Sequence, residues 1–265
     1  MDSQKRHYEK LDLLRAVACI GIVMMHVAAN TSYSITGFFY ERVIPSFTNF
    51  VFLFMAISAF GMCCGYYEKI KNNQISMEEF YKKRFSKIWP FFAFLVLLDV
   101  VLSPSVSSLY EAFADLTLLF GFLPNGGNIS VIGVGWFLGT VFVFYICFPF
   151  FCFLLKNKKR AWLSFGISLI YNFVCSHYFQ AGRNNILYSA CFFLIGGLTY
   201  LYRYEIEKII QPWGIGISIL SIALYYVLGG NIVACILVTM AVLSVAVMCS
   251  RGGDDLGSSS VLSAA

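Results

Sequence analysis

Arg15 and His26 stand eleven positions apart in LDLLRAVACIGIVMMHV, an otherwise largely apolar run from Leu11 to Val27. An α-helix turns about 100° and rises about 1.5 Å per residue, so eleven steps make three turns plus about 20°. The two side chains therefore share one helix face, about 16 Å apart along the axis. An imidazole takes and gives protons near neutral pH. A guanidinium holds its charge and binds phosphates and carboxylates. Such a face could activate a hydroxyl at one end and hold an anion at the other. Asp12 lies fourteen positions before His26, within about 40° of the same face, and three before Arg15, so an Asp12–Arg15 pair is expected.

Each residue alone has a plainer reading. An arginine one turn into a span snorkels to the near interface, and a histidine one turn from the far end packs there. Both readings stay open residue by residue. An arginine at mid-membrane costs about 2.5–3.5 kcal/mol on insertion scales. A helix that needs only to span has no reason to carry both groups on one face.

The element that must position them is a membrane span. Of 265 residues, 59% are hydrophobic and 12% charged. A soluble domain carries about 25% charged residues, so the chain falls in the membrane class. Spans need about 17–25 mainly apolar residues. Eight candidates occupy 11–29, 46–67, 88–102, 134–155, 161–176, 186–202, 213–228 and 231–250. The expected fold is all-α, a polytopic transmembrane bundle of about eight spans plus one interfacial or re-entrant helix. The extra helix falls in 103–133, where SVSSLYEAFADLTLLFGFL has helical spacing with Glu111 and Asp115 opposite its apolar face, and LPNGGNIS then breaks it. The basic MDSQKRHYEK precedes a full-length span and no cleavage pattern follows, so no cleavable signal is expected. Residues 1–251 read as one membrane-embedded domain and 252–265 as a polar tail.

The charge pattern sets the orientation. With the N-terminus inside, sixteen of the nineteen lysines and arginines fall in inner segments, among them Lys82, Lys83, Arg84 and Lys87. Only Arg42 and Arg183 fall outside. The positive-inside rule then places both termini in the cytoplasm of a multi-pass cell-membrane protein. The net charge of +5 reports topology and implies no nucleic acid. All nine cysteines lie in apolar runs, none with zinc-like spacing, and read as small packing residues. No metal ligand set and no permanently bound cofactor is expected. Asp99 near the end of its span reads as solvated at the interface, and His7 and His177 suggest no chemistry.

Five stretches carry a resemblance. LDLLRAVACIGIVMMH, FLFMAISAFGM, FYKKRFSKIWPFF, GWFLGTVFVFYICFPF and FFLIGGLTYLY occur in this order across residues 1–202. Together they resemble the membrane-bound acyltransferase-3 family, whose members move acyl groups onto cell-surface carbohydrates and related acceptors. Ala59 stands where the family's second helix usually has glycine. Family members usually carry about ten spans, two of them after a polar stretch like this tail. The expectation is therefore a short variant or a chain that ends early.

The resemblance implies that His26 is the catalytic base and that acyl-CoA is the donor. A cytoplasmic, polyanionic donor would meet Arg15, Lys82, Lys83, Arg84 and Lys87, with Asp12 and Trp136 in support. Trp136, like Tyr145 and Pro149 on the same span, reads first as structure. The implied function is transfer of an acyl group, acetyl foremost, from acyl-CoA to a hydroxyl of an extracytoplasmic glycan or similar acceptor, in contact with membrane lipids. Two alternatives stand beside it. One is a transporter or flippase of a glycan or lipid-linked substrate, and the other is a truncated, inactive acyltransferase.

Overall fold

The computed structural model describes residues 8–32, 35–122, 135–209 and 211–250. The expected break at 123–130 and the polar tail lie outside them. Among the described residues every regular element is helical. A helix coincides with each of the eight expected spans. Glu9–Ala29 (α1), the continuous helical run Phe39–Lys71, Met77–Leu102 (α3), Trp136–Leu154 (α5) and Ile232–Cys249 (α9) are long and apolar enough to cross a membrane. Ile186–Leu201 (α7) and Gln211–Val227 (α8) are shorter apolar helices. Lys158–His177 (α6) is 20 residues long with a charged first turn. The chain is a polytopic helical membrane protein.

The chain forms two compact units, residues 1–60 with 195–265, and residues 61–194. In the first, α1 buries Leu11, Ala18 and Gly21, a stripe whose steps of two turns and then one keep to one helix face. It packs on the segment that leads into Phe50–Met62 (α2). A Cβ on Gly21 would lie 2.4 Å from the Phe50 ring, so glycine sets that approach. Helix α7 enters this unit at Ile195. A Cβ on Gly196 would sit 2.1 Å from the Ala56 carbonyl oxygen and 2.8 Å from the Ala59 Cβ. The small residues that let α2 and α7 touch are thus Gly196 on one side and Ala56 and Ala59 on the other. Helices α8 and α9 form a hairpin. It turns at Gly229 and Gly230, both at positive φ, a conformation glycine adopts without steric cost. Asn231 then caps α9 by accepting from the Ala234 amide at 2.9 Å.

The second span is longer than its apolar core. Its helical run extends from Phe39 to Lys71 because a π-helical turn at Phe39–Val43, an α turn at Ile44–Ser46 and a 3₁₀ turn at Phe47–Asn49 lead into α2, and a π-helical turn at Cys63–Tyr67 leads out of it to Glu68–Lys71. One-turn π widenings insert a residue without ending the helix.

In the second unit, α3 begins far before its apolar part. Ser76 accepts from the Glu79 amide at 3.1 Å, and Glu78 and Glu79 occupy the first turn. This is the Ser-x-x-Glu start signal with acidic residues at the positive end of the helix dipole. The basic stretch is therefore the opening of α3, which passes through Pro90 without a break. The expected extra helix is Val106–Thr117 (α4), capped by Ser105 and ended by Leu118 at φ 56°. Its apolar residues Leu109, Tyr110 and Phe113 are exposed, whereas Ala112 and Asp115 are buried. An apolar face turned outward suits a helix lying against lipid. Phe92, Val96, Ala112, Leu118, Phe120 and Phe142 form the apolar cluster that joins α3, α4 and α5.

Candidate active site

Helix α1 carries Asp12, Arg15 and His26. The Arg15 guanidinium pairs with the Asp12 carboxylate, with both side chains about half exposed. The expected pair is therefore formed. Arg15 and His26 lie on the edge of the packed stripe of α1, about 60–80° round from Ala18, so neither is consumed by packing. His26 is exposed, and among the described residues no hydrogen bond holds its imidazole. Its backbone carbonyl accepts from the Asn30 amide at 3.1 Å and from the Asn30 side chain at 2.8 Å. Thr31 donates to the Val27 carbonyl at 2.7 Å. These polar caps close the last turn of α1 just beyond His26, satisfying carbonyls that a helix end leaves open.

The four cations of α3 belong to the other unit and differ among themselves. Lys82 and Lys87 are exposed. Lys83 is paired with Glu79 one turn before it. Arg84 is committed to its own unit: it donates to the Tyr66 hydroxyl at 2.6 Å, lies 4.6 Å from the centre of that ring and approaches the Met62 sulfur at 3.6 Å. Its Nε is buried with no hydrogen-bond partner among the described residues. Guanidinium on an aromatic face is worth about 0.5–2 kcal/mol, so Arg84 acts here as a packing cation as much as a free one.

Trp136 opens α5. The Arg183 guanidinium lies 5.0 Å from the centre of its ring, and burial lowers the pKa of Arg183. This contact fits the structural reading of Trp136. The charge count alone could not pair it with Arg183, because 47 residues separate them.

Asp115 escaped the sequence reading. It is 1% exposed, and neither carboxylate oxygen has a hydrogen-bond partner among the described residues. Burial, then Glu111, then Asp99 push its pKa up to about 7. Helical spacing did show that Glu111 and Asp115 share a face. It could not show that this face points inward, because against lipid the apolar face turns out. Among the described residues, no group of three or more His, Cys, Asp or Glu side chains is placed to hold a metal ion.

The family model described as an acyltransferase domain matches residues 8–264. This chain belongs to the acyltransferase-3 family. No curated protein and no solved structure matches it. The matched range takes in the whole of α1 and every described helix of this acyltransferase-family chain.

Proposed function

We propose that this protein is a multi-pass cell-membrane O-acyltransferase with both termini in the cytoplasm. It moves an acyl group, acetyl foremost, from cytoplasmic acyl-CoA to a hydroxyl on an extracytoplasmic carbohydrate or similar acceptor. The observation that carries this reading is a single one. In a chain of the acyltransferase-3 family, one face of α1 bears an accessible imidazole and, about 16 Å away, an accessible guanidinium.

In this reading His26 takes the proton of the acceptor hydroxyl as its oxygen attacks the thioester carbonyl carbon. The carbon–sulfur bond breaks, and the CoA thiolate leaves and regains the proton. Arg15 supplies a cation for the anionic donor on the inner side, and by the charge pattern Lys82, Lys83, Arg84 and Lys87 place further cations on that same side of the membrane for the donor to meet. Asp12 orients Arg15. A donor bound at Arg15 reaches His26 through a chain long enough to cover three helical turns, and the pantetheine arm of CoA is thin and extended.

The test is reconstitution in sealed vesicles, with radiolabelled acetyl-CoA on one side and an oligosaccharide trapped on the other. The expected result is labelled oligosaccharide and one free CoA thiol per acyl group transferred, with donor accepted only from the side that carries the α3 cations. Movement of unmodified oligosaccharide without thiol release would mark a transporter instead.

A further inference from the structure

A cavity of about 300 Å³ lies inside the first unit, walled by α1, the segment entering α2, α8 and α9. Among the described residues no charged one lines it. Its polar lining is concentrated where Ser46 meets Tyr226 at 3.0 Å and where Asn49 donates to the Tyr225 hydroxyl at 2.7 Å. These groups already bond one another, so they demand no charged ligand. The remaining wall is almost entirely aliphatic and aromatic. Apolar cavities of even about 150 Å³ stay dry and take hydrocarbon ligands.

Two lining residues reach the lipid-facing surface. Val17 is 51% exposed and Ile222 is 41% exposed, though both sit in apolar helices. An exposed aliphatic side chain midway along such a helix faces the bilayer, so the cavity wall at Val17 and Ile222 adjoins what the bilayer holds. By the charge pattern, Ser46, Asn49, Tyr225 and Tyr226 lie toward the outer end of their helices. Tyrosines favour that depth because their rings are apolar and their hydroxyls wet.

We propose that this cavity binds one hydrocarbon chain of a membrane lipid, drawn in laterally between α1 and α8, with the lipid headgroup left outside near Tyr225 and Tyr226. The size admits one chain, and the lining excludes a charged head. The proposal goes beyond acyl transfer, since none of the residues given a role in that reaction lines the cavity. Its test needs no activity, so it fails or stands apart from that reading.

The protein is reconstituted in phosphatidylcholine vesicles containing a trace of phosphatidylcholine with a photoactivatable group on one acyl chain. After irradiation, adducts are located by mass spectrometry. Adducts should concentrate in 46–53 and 235–242. Thr239→Trp, which fills the cavity, should lower them severalfold, whereas Leu220→Trp on the exposed face of α8 should leave them unchanged. Val242→Met gives a milder filling that keeps the comparison available if the tryptophan impairs folding. Adducts spread evenly over exposed apolar residues and insensitive to either filling would overturn the proposal. So would labelling of the cavity by a long-chain photoactivatable acyl-CoA and not by the phospholipid.

Discussion

Asp115 shows what one buried carboxyl does to a membrane protein. Its folded pKa of about 7 lies above the ordinary 3.8. Between these values the folded chain holds a proton that the unfolded chain has lost, so Asp115 makes stability fall as pH rises. Its contribution is complete below about pH 4 and gone above about pH 7. Thermal unfolding in detergent across this range should therefore show a downward slope that Asp115→Asn flattens. An unchanged slope would remove Asp115 as its source. At Arg15 the relevant measure is donor affinity. Hydrogen bonds to a charged group contribute about 1.5–3 kcal/mol, so Arg15→Ala should raise the KM for acyl-CoA about tenfold to a hundredfold. Arg15→Lys should recover only part, because an ammonium cannot reproduce the planar fork that grips Asp12 or a phosphate. An unaltered KM in Arg15→Ala would exclude contact with the donor.

At the scale of elements, apolar runs told where helices are and said little about where they end. Spans 46–67 and 88–102 were legible as cores of Phe39–Lys71 and Met77–Leu102. Their extensions were not, because hydropathy falls at the polar turns Phe39–Val43 and Glu68–Lys71 and in the capped, charged first turns of α3. The Ser76–Glu79 cap is a local signal that could have marked the true start of α3. Close crossings were legible only in part. The family's second-helix glycine is Ala59 here, and the glycine of the same contact is Gly196 on α7. Gly196→Val should force α7 away from the Ala56 carbonyl, costing about 1–3 kcal/mol in unfolding measurements. Gly166→Ala on α6, where a Cβ meets nothing within 4 Å, should be neutral or up to about 1 kcal/mol stabilising. Equal effects from both would mean that packing at Gly196 does not govern the approach.

For the whole molecule, the asymmetry of basic residues is the strongest global signal. It predicts that reporter fusions are exported at 30–38, 103–122, 178–185 and 229–231, and retained in the cytoplasm at 72–76 and 156–158. An exported fusion at 156–158 would break the proposed orientation. The helical class and the Asp12–Arg15 pair followed from residue type and spacing over short stretches of chain. The cavity did not, because its polar end joins residues about 180 positions apart, Ser46 with Tyr226 and Asn49 with Tyr225. No local period encodes such a meeting. The central claim is that His26 removes the acceptor proton, and one comparison tests it most directly. His26→Asn and the unaltered protein are reconstituted at equal, verified abundance, and transfer from labelled acetyl-CoA to the trapped oligosaccharide is followed. An amide keeps polarity but cannot accept the proton, so transfer should fall by about 10²–10⁴-fold while donor binding persists. Transfer at the unaltered rate in His26→Asn would contradict the account.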